Sequence, residues 1–229
     1  MSSYLIAGTS RGLGLGLVKV LVAQPVEDVK YIFATTRSAH PSPDLADFMV
    51  DSPDSNKAAA SHVSAELEGA GLDYLINNAA ALDTNVLGTH ETMCAFLPLL
   101  REGGAKKIVN FSSTLGAATT AQTDPSIVSV PYPTYKISKA GTHMLMALWS
   151  NRLKDEGFCV WIQSPGNLRT DLAGNERADL PAEVGAKEVV RIAQSAGPGD
   201  TGRHRNIYVE GWEHGGGVGG RYDGEDLPW

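Results

Sequence analysis

The sequence predicts a single α/β domain over residues 1–229, in which a doubly wound parallel sheet is flanked by helices on both faces. Two observations favour this class. Short apolar runs alternate along the chain with longer helical segments, as parallel strands and their crossover helices do. A glycine-rich turn directly follows the first apolar run. The chain shows no internal repeat and no linker-like stretch that would divide it.

The predicted strands and helices follow one another in alternating order. Strands end where clusters of Gly, Pro, Asn or Ser begin, and helices fill the longer stretches between them. In chain order, the predicted strands are residues 4–7, 31–35, a weak 48–50, 74–77, 107–112, 159–164 and 206–209, and the predicted helices are residues 12–23, 56–68, 85–101, 134–156 and 182–195. Glycine-rich residues 215–220 leave the register of the last strand open.

Composition and charge exclude several classes of function. The formal net charge of −7 and the absence of a basic stripe argue against nucleic acid or an anionic membrane as the main partner. No apolar run approaches the length of a membrane span, and the first strand follows the N-terminus too closely for a signal peptide. Two cysteines, and six histidines without ligand spacing, favour neither a disulfide framework nor a metal site. We therefore expect a cytoplasmic protein with a small-molecule ligand.

Gly8, Gly12 and Gly14 lie in the turn between the first strand and the first helix. Glycines there allow the backbone to turn tightly and to approach a pyrophosphate, while the free N–H groups of the helix N-terminus attract the anion. A glycine-rich turn without a ligand is the alternative. The position of the motif, directly after a strand and at the start of a helix, favours a Rossmann-type dinucleotide site.

The end of the second predicted strand indicates which dinucleotide binds. An NAD-specific site carries an acidic residue there, but this chain reads Thr35-Thr36-Arg37. Together with Arg11 of the glycine turn, Arg37 is suited to form charge-assisted hydrogen bonds with a 2′-phosphate. The pattern favours NADP over NAD, the alternative being that both arginines are simply solvated.

Tyr135 and Lys139 are four residues apart and therefore share one face of a predicted helix. A lysine ammonium beside a phenol stabilises the phenolate and lowers the pKa of tyrosine, which is about 10 in water, toward working pH. The spacing alone is weak evidence because it is common by chance. In combination with the glycine turn, it predicts proton-transfer chemistry.

Three further segments end at the same edge of the predicted sheet. Asn77 and Asn78 follow one strand, Ser112 and Ser113 end the next, and a loop at residues 164–171 follows the one after. Ligands of open α/β sheets bind at the carboxyl ends of the strands. We expect these segments and the glycine turn to share one site, although each alone is also compatible with an ordinary turn.

Taken together, these motifs resemble those of the short-chain dehydrogenase/reductase family over essentially the whole chain. The match includes Gly-x-x-x-Gly-x-Gly, Asn-Asn-Ala, an Asn-x-x-Gly at Asn85, Tyr-x-x-x-Lys and a Pro-Gly after the sixth strand. The closing Tyr222-Asp223-Gly224 and Leu227-Pro228-Trp229 resemble a subgroup of carbonyl reductases and fungal ketoreductases related to norsolorinic acid ketoreductase. The resemblance implies a homodimer or homotetramer.

The resemblance also implies residue roles. Tyr135 would be the general acid that protonates the developing alkoxide, and Lys139 would lower its pKa and hold the nicotinamide ribose. Ser113 would orient the carbonyl, and Asn85 would hold a water on the proton relay to the lysine. The implied cofactor-binding residues are Gly8, Ser10, Arg11, Gly12, Leu13, Gly14, Arg37, Asp51 (at the adenine), Asn78, Tyr135, Lys139, Leu168 and Thr170 (at the carboxamide).

The implied function is NADPH-dependent reduction of a ketone or aldehyde to an alcohol, on a small organic substrate such as a polyketide-type secondary metabolite. Two alternatives stay open. One is a catalytically impaired NADP-binding sensor or scaffold, and the other is the reverse reaction of an alcohol dehydrogenase. The intact serine, tyrosine and lysine favour an enzyme over a sensor.

Two segments are shorter than the resemblance requires. Only ten residues, two of them prolines, separate Arg37 from Phe48, whereas a parallel crossover needs about a dozen and usually contains a helix. Asp83 follows Leu82 directly, where the family has a loop and half a helix. We predict breaks in the chain at both places, the alternative being a genuinely shortened chain that favours the non-enzymatic function.

Overall fold

The computed structural model describes residues 1–36, 52–78, 84–170, 178–214 and 221–229. Its strands fall into a main sheet and a separate small sheet. The main sheet contains β1 (Ser2–Ala7), β2 (Val29–Ala34), β3 (Tyr74–Asn77), β4 (Lys107–Phe111), β5 (Cys159–Gln163) and β8 (His204–Arg205). The small sheet contains β6 (Leu168–Arg169) and β7 (Leu180–Pro181).

Helices connect these strands. They are α1 (Gly12–Val22), α2 (Pro53–Glu66), α3 (Thr89–Glu102), α4 (Ala118–Thr123), α5 (Pro125–Ser129), α6 (Pro133–Leu153) and α7 (Ala182–Ser195). A π-helical turn, Thr84–Gly88, precedes α3, and 3₁₀ turns occupy Thr114–Gly116, Lys154–Glu156 and Pro198–Asp200.

The main sheet is parallel throughout, with strand order β2-β1-β3-β4-β5-β8. The order reverses between β1 and β3, and such a reversal opens a crevice at the carboxyl ends of the two strands. The predicted fold class, a Rossmann-type parallel sheet flanked by helices, is confirmed.

Apolar side chains on the two faces of the sheet fix the helical layers. Successive side chains of a strand point to opposite faces. Ile6 and Ile76 accordingly belong to the core that includes α1 and α7, whereas Leu5 and Leu75 belong to the core that includes α2, α3 and α6. All four side chains are fully buried, and each such burial stabilises the fold by about 1.5–3 kcal/mol.

The last strand of the sheet differs from its predicted position. Residues 206–209 were the predicted strand, but His204 and Arg205 pair with Ile162 and Gln163 of β5. Tyr208 instead forms an isolated antiparallel bridge with Asp223. The sequence prediction is wrong here because the apolar pattern of this segment reflects packing of the closing segment rather than sheet pairing.

One other predicted element differs from the structure, and several predictions fall outside the described residues. The helix predicted at residues 85–101 begins as a π turn and becomes α-helical only at Thr89. The weak strand at residues 48–50, the two predicted chain breaks, Arg37 and Asp51 lie outside the described residues. In the part of the chain that the structure describes, no helix is both long and apolar enough to span a membrane.

Candidate active site

The glycine turn joins β1 to α1 at the crevice between β1 and β3. A Cβ on Gly14 would lie 2.1 Å from the Gly8 carbonyl oxygen and 2.6 Å from Asn78 Nδ2, so a larger residue does not fit. The Asn78 amide donates a hydrogen bond to the same carbonyl (2.7 Å), and the Gly8 N–H donates to the Thr35 hydroxyl (3.2 Å). The turn is therefore held by the residues that follow both neighbouring strands.

The start of α1 fits a phosphate group. Arg11 occupies the N-cap position in an extended conformation, and no described side chain caps the first N–H groups of the helix. Ser10 and Arg11 are exposed, whereas Leu13 is buried in the core. The Thr170 methyl lies 3.2 Å from where a Cβ on Gly12 would be, so Thr170 borders the turn. A helix N-terminus without a side-chain cap from its N-cap residue, beside a tight glycine turn, has a geometry that suits an anion.

Lys139 belongs to α6, and its side chain reaches the carboxyl end of β4. Its side chain is only 6% exposed, and its ammonium donates a hydrogen bond to the Phe111 carbonyl (2.8 Å). Burial lowers the pKa of Lys139 to about 8, so the group is still mostly cationic at neutral pH. Its Nζ lies 5.7 Å from the centroid of the Tyr135 ring. The buried Lys139 ammonium thus lies near the Tyr135 phenol.

Tyr135 differs from the sequence expectation in the direction of its pKa. Burial raises the pKa of Tyr135, and a hydrogen bond with Ser113 offsets part of the rise. The lysine was expected to lower it, but Lys139 is not among the groups that shift the Tyr135 pKa, and its ammonium donates to the Phe111 carbonyl. The phenol is therefore protonated at neutral pH, which is the state that donates a proton.

Close packing at Gly116 brings Ser113 and α6 together. Ser113 caps the 3₁₀ turn Thr114–Gly116, and its hydroxyl accepts a hydrogen bond from the Leu115 N–H (3.2 Å). A Cβ on Gly116 would lie 2.7 Å from both the carbonyl carbon and the Cβ of Lys139. This backbone contact keeps the serine within reach of the tyrosine one turn before Lys139.

Asn85 is bound to α6 from the π turn. Its Nδ2 donates a hydrogen bond to the Ser138 hydroxyl (2.9 Å), which in turn donates to the Tyr135 carbonyl (2.8 Å). The Asn85 carbonyl accepts a hydrogen bond from the Thr142 hydroxyl (3.2 Å). Single π turns occur frequently at functional sites. The asparagine is thus brought to the helix segment between Tyr135 and Lys139, with Ser138 as its direct partner.

Three buried polar side chains at the carboxyl ends of β3 and β4 carry atoms with no hydrogen-bond partner among the described residues. They are Asn77 with both amide atoms, Asn110 with Nδ2 and Ser112 with its hydroxyl. Asn77 and Asn110 are direct neighbours in the sheet register. Because buried polar groups are normally paired, their position at the crevice indicates capacity for a polar ligand or water.

The structure thus brings Ser113, Tyr135, Lys139 and Asn85 together on one side of the crevice. Asn78 and Thr170 border the glycine turn on the other side, whereas the Leu168 side chain is buried in the core. Sequence reasoning missed Ser138 and the Phe111 carbonyl. Ser138 could have been found from the sequence, because it lies three residues after Tyr135 and directly before Lys139. A backbone carbonyl cannot be found in this way, because every residue has one.

A glycine turn at a strand reversal with a Ser–Tyr–Lys cluster beside it is an arrangement typical of dinucleotide-dependent oxidoreductases. The chain belongs to the short chain dehydrogenase family, whose model matches residues 3–181. Members of this family use nicotinamide cofactors.

Curated relatives agree with this family. The chain is 35% identical to the short-chain dehydrogenase/reductase AacuF of Aspergillus aculeatus, in an alignment that covers 77% of this chain and 78% of the relative. It is 30% identical to the short-chain dehydrogenase/reductase atnB of an Arthrinium species, over 75% of this chain and 76% of the relative. It is also 28% identical to the protein named C-signal of Myxococcus xanthus, over 69% and 81%.

Solved structures confirm the fold. The NADPH-bound carbonyl reductase from chicken fatty liver superimposes with a TM-score of 0.82 at 24% identity, covering 100% of this chain and 99% of that one. The carbonyl reductase Sniffer of D. melanogaster superimposes with a TM-score of 0.81 at 24% identity, covering 100% of both chains. Identity at this level establishes the shared architecture alone.

Proposed function

We propose that this protein is an NADPH-dependent reductase that converts a ketone or aldehyde of a small organic substrate to an alcohol. The single observation that carries the proposal is the cluster of Ser113, Tyr135 and Lys139 beside the glycine turn. The relatives named short-chain dehydrogenase/reductase and the structural neighbours named carbonyl reductase support the same reaction.

The chain's own residues would hold NADP(H) at the crevice. The glycine turn and the start of α1 would bind the pyrophosphate, with Asn78 and Thr170 beside it. Arg11 and Arg37 would bind the 2′-phosphate, and Asp51 the adenine. The bound cofactor supplies the hydride. The NADPH-bound carbonyl reductase among the structural neighbours supports the choice of NADP over NAD.

The proton-transfer side of the site follows from the described groups. Tyr135 is kept protonated by burial, so its hydroxyl is available to donate a proton to the oxygen of a carbonyl. The Ser113 hydroxyl lowers the pKa of that phenol and would bind the same carbonyl oxygen. The Lys139 ammonium would stabilise the tyrosinate left behind, and Asn85 would connect the helix to a relay of water.

The segment between Ser113 and Tyr135 supports an apolar substrate. It contains α4 and α5, and it exposes Val128 and Tyr132, the latter three residues before Tyr135. An exposed valine and an exposed aromatic ring near the proton donor suit a substrate with an extended hydrophobic skeleton. A polyketide-type ketone fits this description.

NADPH consumption separates the proposed reductase from a sensor. The purified chain is mixed with NADPH and a panel of aromatic and aliphatic ketones and aldehydes, and the fall in absorbance of NADPH is followed. Loss of NADPH with formation of the alcohol, in the wild type but not in Tyr135→Phe, supports a reductase. Binding of NADPH without turnover of any panel member supports the sensor or scaffold, which the relative named C-signal also favours.

Cofactor preference tests the choice of NADP. Charge-assisted hydrogen bonds contribute on the order of 1.5–3 kcal/mol each, so NADPH should bind at least about tenfold more tightly than NADH. Arg37→Asp should erase or reverse this preference. Equal dissociation constants for the two cofactors in the wild type contradict the proposal.

The outer face of α6 supports a homodimer or homotetramer. Ile137, Met144 and Leu148 are spaced by seven and four residues, and each is more than 60% exposed. Such spacing places them on one face of the helix, and an exposed apolar stripe favours association. Met144→Glu should reduce the molar mass measured by light scattering to that of the monomer.

We also propose a cytoplasmic location, in keeping with free thiols at Cys94 and Cys159.

A further inference from the structure

The β6–β7 sheet forms a two-stranded arm at the edge of the proposed cofactor site. Leu168 pairs with Leu180 and Arg169 with Pro181 in parallel register. Thr170 directly follows β6 and borders the glycine turn. The position of Thr170 therefore depends on how firmly the two strands of the arm are held.

Tyr222, from the closing segment of the chain, reaches the base of this arm. The tyrosine is 1% exposed. Its hydroxyl donates a hydrogen bond to Asp179 Oδ2 (2.6 Å) and accepts one from the Asn167 N–H (3.0 Å). Asn167 is the residue before β6, and Asp179 is the residue before β7. One buried hydroxyl thus joins the entrances of both strands.

The backbone of Tyr222 is fixed independently of its hydroxyl. Its carbonyl accepts a hydrogen bond from the Val209 N–H (2.9 Å), and its own N–H donates to the Trp212 carbonyl (3.1 Å). The preceding Arg221 carbonyl accepts a hydrogen bond from Asn206 Nδ2 (2.6 Å). Burial is the main cause that raises the pKa of Tyr222, so the hydroxyl keeps its proton and remains a donor to Asp179.

From this geometry we propose that Tyr222 is a positioning residue for the nicotinamide cofactor. Its hydroxyl holds Asn167 and Asp179, and through them the β6–β7 arm that carries Leu168 and Thr170. Tyr222 acts through the arm and not by contact with the cofactor. The inference rests on the proposed use of NADPH, and it adds a residue that none of the sequence motifs for cofactor binding includes.

The test compares two buried tyrosines by removing only the hydroxyl of each. NADPH dissociation constants are measured by fluorescence titration for the wild type, Tyr222→Phe and Tyr4→Phe. Tyr4 is 2% exposed, and its hydroxyl accepts a hydrogen bond from Gln194 at the opposite end of the sheet. A hydrogen bond to a charged group is worth about tenfold or more in an equilibrium constant. Loss of the one between Tyr222 and Asp179 should therefore weaken NADPH binding about fivefold or more. Tyr4→Phe should bind NADPH like the wild type.

Two further measurements separate positioning from general destabilisation. At saturating NADPH, kcat of Tyr222→Phe should stay near that of the wild type, because the proposed proton-transfer residues Ser113, Tyr135, Lys139 and Asn85 lie outside the arm. Asp179→Ala should weaken NADPH binding to a similar extent, and the double variant should add little, as expected for partners in one interaction.

The outcomes are distinguishable from those of the proposed function. If the wild type does not bind NADPH, the proposed function fails whatever Tyr222 does. If the wild type binds NADPH and Tyr222→Phe binds it within twofold, the positioning role is overturned. If Tyr222→Phe does not fold, Asp179→Ala carries the test alone, and an unchanged dissociation constant there also overturns the inference.

Discussion

Asp73 and Asn77 lie at opposite ends of β3 and differ in how their polar atoms are satisfied. The Asp73 carboxylate accepts four hydrogen bonds, from the N–H and hydroxyl of Ser3 (2.9 and 3.0 Å) and from the N–H groups of Gly104 and Ala105 (2.9 Å each). Neither amide atom of Asn77 has a partner among the described residues, although the side chain is 3% exposed.

This difference separates a stabilising end of the sheet from the end at which we propose that the cofactor binds, called the binding end below. A satisfied carboxylate ties β1, β3 and the approach to β4 together at the amino ends of the strands. Unsatisfied buried amides and hydroxyls at the carboxyl ends cost folding free energy unless a ligand or water pairs with them. Variants at the amino end should therefore change stability, and variants at the carboxyl end should change binding and turnover.

The largest effect is expected at the binding end, from Tyr135→Phe. The change removes only the proton donor, and general acid catalysis is typically worth about 10²–10⁴-fold, so kcat for carbonyl reduction should fall by that factor. The melting temperature and NADPH affinity should stay close to those of the wild type. Tyr132→Phe, at an exposed tyrosine of the same helix start, is the matched control. A Tyr135→Phe enzyme with more than about a tenth of wild-type kcat contradicts the assignment.

The next effect is expected at the stabilising end, from Asp73→Ala. Three backbone N–H groups lose their acceptor and the Ser3 hydroxyl keeps only the Gly71 carbonyl as its acceptor, which should lower the free energy of unfolding by about 2–4 kcal/mol in urea titrations. NADPH affinity of the folded fraction should not change. Asp155→Ala, at an exposed aspartate, should cost less than about 0.5 kcal/mol. Equal stability of the two variants would remove the contrast between the ends of β3.

An intermediate effect is expected from pH at the binding end. Burial lowers the pKa of Lys139 to about 8, so the ammonium is lost as the pH rises through that value. We expect kcat/KM for reduction to fall about tenfold per pH unit above that value, because the cation no longer stabilises the tyrosinate. In Lys139→Arg the guanidinium stays charged, so the fall of kcat/KM at high pH should disappear, whatever the absolute rate of the variant. A wild-type profile that stays flat from about pH 7 to 9.5 refutes the role.

The smallest effect on stability is expected from Asn77→Leu. Replacing an unpaired buried amide by an apolar group of similar volume is nearly neutral, so the free energy of unfolding should change by less than about 1 kcal/mol. NADPH binding or turnover should nevertheless decrease, because the crevice loses a polar group. A large loss of stability would show that Asn77 belongs to the stabilising part of the molecule.

The fold was largely predictable because it depends on periodicity. Apolar runs at β1, β3, β4 and β5 are buried on both faces and stand out from the sequence, and their positions agree with the structure. The two-residue strands β6, β7 and β8 were not predictable. They have no periodicity of their own, and their pairing is set by neighbours far away in the chain.

The site was predictable where chemistry depends on residue type. The glycine turn and the Tyr135–Lys139 spacing predicted residues that the structure places at one edge of the sheet. The direction of the Tyr135 pKa was not predictable, because it depends mainly on how deeply the phenol is buried. The Asn85–Ser138 hydrogen bond depends on a π turn, and no residue pattern in the sequence predicted that turn.

The contact between Gly116 and Lys139 has a consequence for how this protein can diverge. It fixes the Lys139 turn of α6 against the 3₁₀ turn Thr114–Gly116 that follows β4, at a point outside α4 and α5. We expect substitutions within α4 and α5 to change which substrates are accepted while the Lys139 turn of α6 keeps its place. A chimera that carries the corresponding segment of AacuF should keep its NADPH affinity while its preference among ketones changes. A chimera that loses NADPH binding would show that the segment and the helix evolve as one unit.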